Sequence, residues 1–161
     1  MVSNVTEQNM NEPIIRSKMV TAENSASQMT VADCGEYGTL VFDEPIQHGG
    51  TGKGPSPLQG ILSALCACES VTFNRTASEM NFKYDSLSFS AEYKIDIRGR
   101  LGMRGVTQHF KNVRVEIQVK TSESKQRLEE VVTETELRCP VYNLIQNAGV
   151  NLTCQWIRIS E

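Results

Sequence analysis

The pattern of hydrophobic and polar positions divides the first third of the chain into short strands followed by a loop. Between Ile14 and Phe42, runs of β-forming residues are separated by Asn24 and Gly35, which is typical of an antiparallel meander. The predicted strands are Ile14–Val20, Gln28–Ala32 and Gly38–Phe42. Residues 43–57 are rich in glycine and proline, and they are therefore predicted to form a loop.

A long helix is predicted to follow this loop, from Pro57 to about Glu79. Proline suits the first helical position, and Ser56 can act as the N-cap. At about 100° per residue, one side of this helix carries mainly apolar side chains. The predicted apolar stripe consists of Leu58, Ile61, Leu62, Leu65, Cys68 and Thr72.

The second half of the chain alternates strands and helices. The predicted elements are strands at Tyr84–Arg98 and Val113–Val119, a loop over 99–110 between them, helices at Ser122–Arg138 and Val141–Ala148, and a closing strand at Asn151–Ile159. This order favours an α+β fold rather than a doubly wound sheet. We expect one domain over residues 14–161, preceded by a flexible terminus over residues 1–13.

Composition and charge narrow the possible partners. The chain has 161 residues and a formal net charge of −3, with its basic residues spread out. This gives no electrostatic reason to expect binding to nucleic acid or to an anionic membrane. The sequence has no apolar run of the ~20 residues that a bilayer span needs, and no secretory signal is recognisable. A cytoplasmic protein is therefore expected, with a matrix compartment as the alternative.

Two further patterns could indicate a binding site, but neither meets the requirements of such a site. The segment Gly49–Gly54 resembles a phosphate loop, but a Walker loop needs Ser or Thr after its lysine, and Gly54 follows Lys53. A flexible lead into the helix is the simpler prediction. Cys66 and Cys68 are two residues apart, which places their sulfurs about 200° apart around a helix. Neither a metal site nor a disulfide is therefore expected at that pair.

The five cysteines differ in their local sequence. Cys34 and Cys154 lie in β-forming segments and are expected to be buried small hydrophobic residues. Cys68 lies on the apolar stripe, where core packing and reactivity both remain open. Cys139 lies between Arg138 and a proline that can start a new helix. A helix N-terminus and an adjacent arginine both lower the pKa of a thiol, so Cys139 is the best candidate for a reactive cysteine.

Taken together, these segments resemble the OsmC/Ohr family of thiol-dependent peroxidases. The similarity rests on Gly49-Gly50, Gly54-Pro55-Ser56-Pro57-Leu58, the cysteine at the end of Leu62–Cys68, and Arg138-Cys139-Pro140-Val141 before a final strand. It covers about residues 28–159. The resemblance implies antiparallel sheets wrapped around a long buried central helix, in an intertwined homodimer with two active sites at the interface.

The resemblance also implies a catalytic cycle. Cys68 corresponds to the cysteine that attacks the peroxide, and Cys139 to the resolving cysteine. The implied substrate is an organic hydroperoxide, with hydrogen peroxide as a further possibility. The Cys68 sulfenic acid would condense with Cys139 to a disulfide, which an external dithiol of the lipoyl or thioredoxin type would reduce. No metal, flavin or haem is implied.

The sequence departs from the family at the positions that activate the thiol. The best-characterised members of the family carry a glutamate on the first turn of the central helix, which orders an arginine over the reactive sulfur. This sequence has Leu58 and Gln59 there, and Gln59 cannot form that ion pair. Glu69 is a possible substitute, although a solvated or capping role is at least as compatible with the sequence. Arg16, Arg98 and Arg104 are the candidate arginines. The alternative function is a redox sensor or small-molecule-binding protein, while a purely structural role would make the cysteine pair coincidental.

Overall fold

The computed structural model describes residues 13–160. The chain divides into two compact units, one up to Pro57 and one from Leu58 onward. The flexible terminus predicted over residues 1–13 lies outside the described residues apart from Pro13, and the single domain over residues 14–161 remains a prediction. Among residues 13–160, no helix is both long enough and apolar enough to cross a membrane.

The first unit contains a three-stranded antiparallel sheet. Its strands are β1 (Thr21–Asn24), β2 (Thr30–Asp33) and β3 (Thr39–Phe42), which lie side by side in that order. β1 pairs with β2 so that Ala22 lies opposite Ala32, and β2 pairs with β3 so that Ala32 also lies opposite Leu40. The antiparallel meander predicted for this region is therefore present.

The first strand begins later than the sequence predicts. A strand at Ile14–Val20 is wrong, because residues 13–20 have no regular secondary structure and β1 starts at Thr21. The Asn24 side chain donates hydrogen bonds to the carbonyl oxygens of Ser27 (2.6 Å) and Met29 (2.8 Å). These bonds close the turn directly after β1, and a turn fixes which residues pair across a hairpin.

The glycine-rich loop is fastened to a buried carboxylate. Asp43 is fully buried and accepts hydrogen bonds from the backbone N–H groups of Glu44, Thr51 and Lys53 and from the Thr51 hydroxyl. These donors lower the pKa of Asp43 to about 2. A side chain at Gly50 would lie 1.7 Å from the Glu44 carbonyl oxygen, so only glycine fits there. Within the segment that was predicted to be flexible, the amides of Thr51 and Lys53 are therefore held by an internal anion.

The second unit contains the long helix, a second sheet and three further helices. Its elements are α1 (Pro57–Glu79, whose first residue ends the first unit), β4 (Ser86–Ile95), α2 (Ile97–Arg100), β5 (Phe110–Lys120), α3 (Lys125–Arg138), α4 (Pro140–Asn147) and β6 (Asn151–Ile159). The predicted strand overran the end of β4, because Asp96 accepts a hydrogen bond from the Arg98 backbone N–H (3.1 Å) and starts the short helix α2. The bounds of α1 and β6 agree with prediction.

The second sheet is mixed rather than antiparallel. Its order is β4-β5-β6, with β4 antiparallel and β6 parallel to the central strand β5. The prediction of purely antiparallel sheets is therefore wrong for this unit. A parallel neighbour needs a crossover connection, and α3 and α4 supply it between β5 and β6.

The core of the second unit lies on one face of β5. Val113, Val115, Ile117 and Val119 alternate along the strand, and each is at most 1% exposed. Phe73 from α1 is fully buried in the same cluster and stacks on Trp156 of β6, with ring centroids 5.1 Å apart. Burial of a large side chain stabilises the fold by about 1.5–3 kcal/mol. This core fixes α1 against the sheet and thereby fixes the cysteines that α1 carries.

Candidate functional site

The structure brings Cys68 and Cys139 together. Cys68 lies in the middle of α1, where it is half-buried, and Cys139 is fully buried at the junction of α3 and α4. Cys68 is a side-chain neighbour of Cys139, and its sulfur helps to raise the pKa of the Cys139 thiol. Two cysteines 71 positions apart in sequence (139 − 68) therefore meet within one unit of the chain. Such a pair can form a disulfide if one sulfur is oxidised.

The environment of Cys139 is the reverse of the one predicted. Burial raises the pKa of the Cys139 thiol to about 11, because an apolar surrounding penalises the thiolate. Cys139 is the N-cap of α4, and the Tyr142 backbone N–H does act to lower this pKa, but its effect is smaller than that of burial. Arg138 was expected to lower the pKa of Cys139, but its guanidinium pairs with Glu79 and Glu134 instead. Cys139 is therefore protonated at neutral pH.

Glu69 is buried rather than solvated. It follows Cys68 on α1 and is 0% exposed, on the stripe that also buries Leu65 and Phe73. The buried side of α1 is thus centred on Glu69, and Ile61, predicted to lie on it, is 42% exposed. Burial raises the pKa of Glu69 to about 7. Of the roles that the sequence left open for Glu69, the solvated one is wrong, because this side of the helix is covered.

Glu69 contacts a polar cluster that the sequence did not reveal. The Cys154 thiol of β6 donates to Glu69 Oε1 (3.5 Å), and the Glu136 carboxylate of α3 lies nearby. Trp156 Nε1 donates to Glu136 Oε1 (3.0 Å), and the Tyr142 hydroxyl also bonds Glu136. Burial and the Glu69 carboxylate strongly raise the pKa of Cys154. Cys154 is therefore not the simple hydrophobic residue that the strand pattern predicts.

One sequence signal could have identified Glu136. It follows Val132 by four residues on α3, so it lies on the same side of the helix as an apolar position. A carboxylate on an apolar stripe needs a buried partner. Cys154 gave no comparable signal, because an isolated cysteine in an alternating strand is most often a packing residue.

The accessory candidates differ in their exposure and in the groups that they contact. Arg98 binds Asp96 through a 2.6 Å ion pair on α2 and is 60% exposed, so its guanidinium is engaged there. Gln59 is exposed on the first turn of α1 and lines a groove with Cys66. Cys66 is half-buried, and burial raises its pKa. Arg16 is exposed in the first unit.

The structure also describes the surroundings of Arg104 and Cys34. Arg104 is exposed in a turn between α2 and β5. Cys34 is half-buried and directly follows β2, where it caps a short 3-10 turn over Gly35–Tyr37. It therefore ends a strand rather than packing within one.

Comparisons with known proteins agree with this architecture. Residues 50–155 match the family model for OsmC-like protein. No curated protein sequence matches the chain. Among solved structures, an OsmC-like protein from Mycoplasma pneumoniae is 19% identical, with a TM-score of 0.75 over 89% of this chain and 99% of the other.

Two similar structures are named for hydroperoxide resistance. The organic hydroperoxide resistance protein OsmC of Legionella pneumophila is 17% identical, with a TM-score of 0.67 over 90% of this chain and 99% of the other. The organic hydroperoxide resistance protein OhrB of Bacillus subtilis is 19% identical, with a TM-score of 0.59 over 88% and 98%. At these identities the likeness establishes the fold.

Proposed function

Because the chain belongs to the OsmC-like protein family, we propose that it is a thiol-dependent peroxidase that reduces organic hydroperoxides. Hydrogen peroxide is a secondary substrate in this proposal. The protein acts as a cytoplasmic homodimer, and an external dithiol of the lipoyl or thioredoxin type regenerates it. The names of the Legionella and Bacillus structures support the substrate class.

The contact between the Cys68 and Cys139 thiols carries the proposal. A peroxidase that works through a disulfide needs two sulfurs close enough to bond without rebuilding the backbone. Cys68 is fixed by α1 and Cys139 by the junction of α3 and α4, so both positions are set by packed helices.

The environments of the two thiols support different roles. Cys139 holds its proton at neutral pH, because burial raises its pKa to about 11. A protonated thiol is a poor nucleophile. Cys68 is less buried than Cys139, so a peroxide can reach its sulfur more readily. Cys68 is therefore the attacking cysteine and Cys139 the resolving one.

The cycle balances without a metal or an organic cofactor. The Cys68 thiolate attacks one oxygen of the peroxide, the O–O bond breaks, and the alcohol leaves with a proton from solvent. Cys68 is now a sulfenic acid. The Cys139 sulfur attacks the Cys68 sulfur, a disulfide forms, and water leaves. An external dithiol then reduces the disulfide by thiol–disulfide exchange and is itself oxidised.

The second candidate is a redox sensor that reacts slowly with peroxide. The engagement of Arg98 with Asp96 and of Arg138 with Glu79 favours it, since these guanidinium groups are paired at other positions. A thiol without a cationic neighbour has a smaller thiolate fraction. The two functions differ in turnover, because a sensor accumulates the disulfide whereas a peroxidase cycles through it many times.

Variants in which one cysteine is replaced by serine test which thiol attacks the peroxide and which one resolves the sulfenic acid. Cys68→Ser should abolish reduction of cumene hydroperoxide, because no attacking sulfur remains. Cys139→Ser should still react once and should accumulate a sulfenic acid on Cys68, which a dimedone adduct at that residue detects by mass spectrometry. The turnover assay follows loss of peroxide in the presence of excess dithiol, whereas the dimedone reaction is carried out without dithiol, which would reduce the sulfenic acid.

Cys66→Ser is the matched control, since Cys66 lies on the same helix two residues away and is also half-buried. It should retain turnover within about twofold, as expected for a residue outside the reacting pair. Unchanged turnover in Cys68→Ser would overturn the proposal. A disulfide that forms in the wild type without multiple turnovers would favour the sensor.

A further inference from the structure

The cluster of Glu69, Glu136 and Cys154 has the composition of a metal site. One carboxylate oxygen from each glutamate and the Cys154 sulfur all lie within 4.8 Å of one another. The three residues come from α1, α3 and β6, so their proximity is a product of the fold rather than of local sequence. Two carboxylates held this close repel each other unless a proton or a cation lies between them.

Glu69 provides an independent indication of a ligand. It is 0% exposed, and its Oε2 atom has no hydrogen-bond partner among the described residues. A buried carboxylate oxygen without a partner destabilises the fold, because it has lost its hydrogen bonds to water and has not replaced them. A bound cation would satisfy this oxygen.

The surroundings of the cluster suit metal binding. The Glu136 carboxylate accepts a hydrogen bond from Trp156 Nε1 (3.0 Å) and is also bonded by the Tyr142 hydroxyl. Hydrogen bonds of this kind orient a ligand carboxylate around a metal. A groove of about 640 Å³ is lined in part by Glu136, Cys154 and Trp156, so two of the three proposed ligands border an open groove.

We propose that Glu69, Glu136 and Cys154 form a site for a thiophilic divalent cation, zinc, beside the Cys68–Cys139 pair. The sulfur ligand excludes calcium and magnesium, which take oxygen ligands, whereas zinc accepts cysteine sulfur and carboxylate oxygen in one tetrahedral site. Zinc–ligand bonds of about 2.0–2.3 Å require the donor atoms to approach somewhat closer than in the metal-free cluster.

Binding exchanges a proton for the metal. The S–H bond of Cys154 breaks, the sulfur bonds to zinc, and the proton passes to the buffer. Glu69 and Glu136 each contribute one oxygen, and a water molecule fills the fourth position. Zinc changes no oxidation state in this step, so the site can be occupied without consuming peroxide.

Cobalt and zinc titrations test the site. The reduced full-length protein, freed of metal with a chelator, is titrated with Co²⁺ and then with Zn²⁺ in competition with a chromophoric chelator. We expect one equivalent per chain and a thiolate-to-cobalt charge-transfer band in the near ultraviolet. Cys154→Ser should abolish this band, and Glu69→Gln should weaken zinc binding at least tenfold. Glu69→Gln conserves side-chain shape, so it keeps the test usable if Cys154→Ser fails to fold.

The double variant Cys68→Ser/Cys139→Ser is the control, because it removes both thiols of the proposed redox pair and leaves the cluster intact. It should keep the charge-transfer band and the zinc affinity. Three outcomes would overturn the proposal: no binding by the folded wild type, a band that persists in Cys154→Ser, or a band lost from the double variant. Zinc binding needs no peroxide, so its failure leaves the peroxidase proposal standing.

Discussion

At the scale of the residue, burial decides the chemistry of the two groups that matter most. Cys139 is at a helix N-terminus, where a thiolate should be favoured, yet burial outweighs the backbone N–H of Tyr142 and raises the pKa. Glu69 follows the same rule on α1. A sequence reveals that a residue starts a helix, but it does not reveal how much protein covers the residue.

Asp43 shows the opposite balance, and its effect on stability can be measured. Its four hydrogen-bond donors outweigh burial and lower its pKa from 3.8 to about 2. The carboxylate therefore contributes stability that is fully present above pH 3.8 and is lost as the pH falls toward about 2. Asp43→Asn should lower the thermal unfolding midpoint at neutral pH, because an amide NH₂ would face backbone N–H donors.

The test compares the unfolding midpoints of wild type and Asp43→Asn from neutral pH down to about pH 2. The difference should be constant above pH 3.8 and should shrink below it. Asp33→Asn is the control, since Asp33 is exposed and accepts one backbone bond, from Gly35 (2.8 Å). An Asp43→Asn deficit equal to that of Asp33→Asn at every pH would contradict this account of the loop.

At the scale of the element, alternation predicted the strand β5 and its buried face, but it did not predict how β6 pairs with it or where β4 ends. Val113, Val115, Ile117 and Val119 define the buried face of this strand in the sequence and in the structure. The parallel pairing with β6 was not predictable from alternation, because it depends on the α3–α4 crossover. The end of β4 was missed for a local reason, the capping of α2 by Asp96.

The central position of β5 leads to a stability prediction. Ile117→Ala should reduce the free energy of unfolding by about 2–5 kcal/mol, because it leaves a cavity in a fully buried site. Gln118→Ala is the matched control on the exposed face of the same strand, with an expected change within about 0.5 kcal/mol. Urea unfolding followed by Trp156 fluorescence measures both, and equal values would contradict the assignment of the core.

The cysteine pair was accessible from the sequence only through resemblance. Neither Cys68 on its stripe nor Cys139 beside Pro140 indicates by itself that the two sulfurs meet. The polar cluster was missed for a different reason, since Glu69, Glu136 and Cys154 belong to three elements whose packing no local pattern encodes. Long-range contacts of this kind depend on the whole fold.

At the scale of the whole molecule, the family resemblance predicts a homodimer. Light scattering after size-exclusion chromatography should give twice the chain mass of 17.9 kDa. Val71 on α1 is 52% exposed in the single chain, and such a face would be covered in a dimer built on this helix. Val71→Asp should therefore shift the mass toward the monomer, whereas Ser78→Asp, also exposed on α1, is the control. A monomeric wild type at micromolar concentration would contradict the dimer.

The central claim is that Cys68 and Cys139 are a redox pair, and disulfide mapping tests it most directly. The reduced protein is treated with one equivalent of cumene hydroperoxide, free thiols are blocked, and the peptides are identified by mass spectrometry. The account predicts rapid and stoichiometric formation of a Cys68–Cys139 disulfide, with Cys34 and Cys66 still free. If both thiols of the pair stay reduced while other cysteines oxidise slowly and without preference, the claim is contradicted.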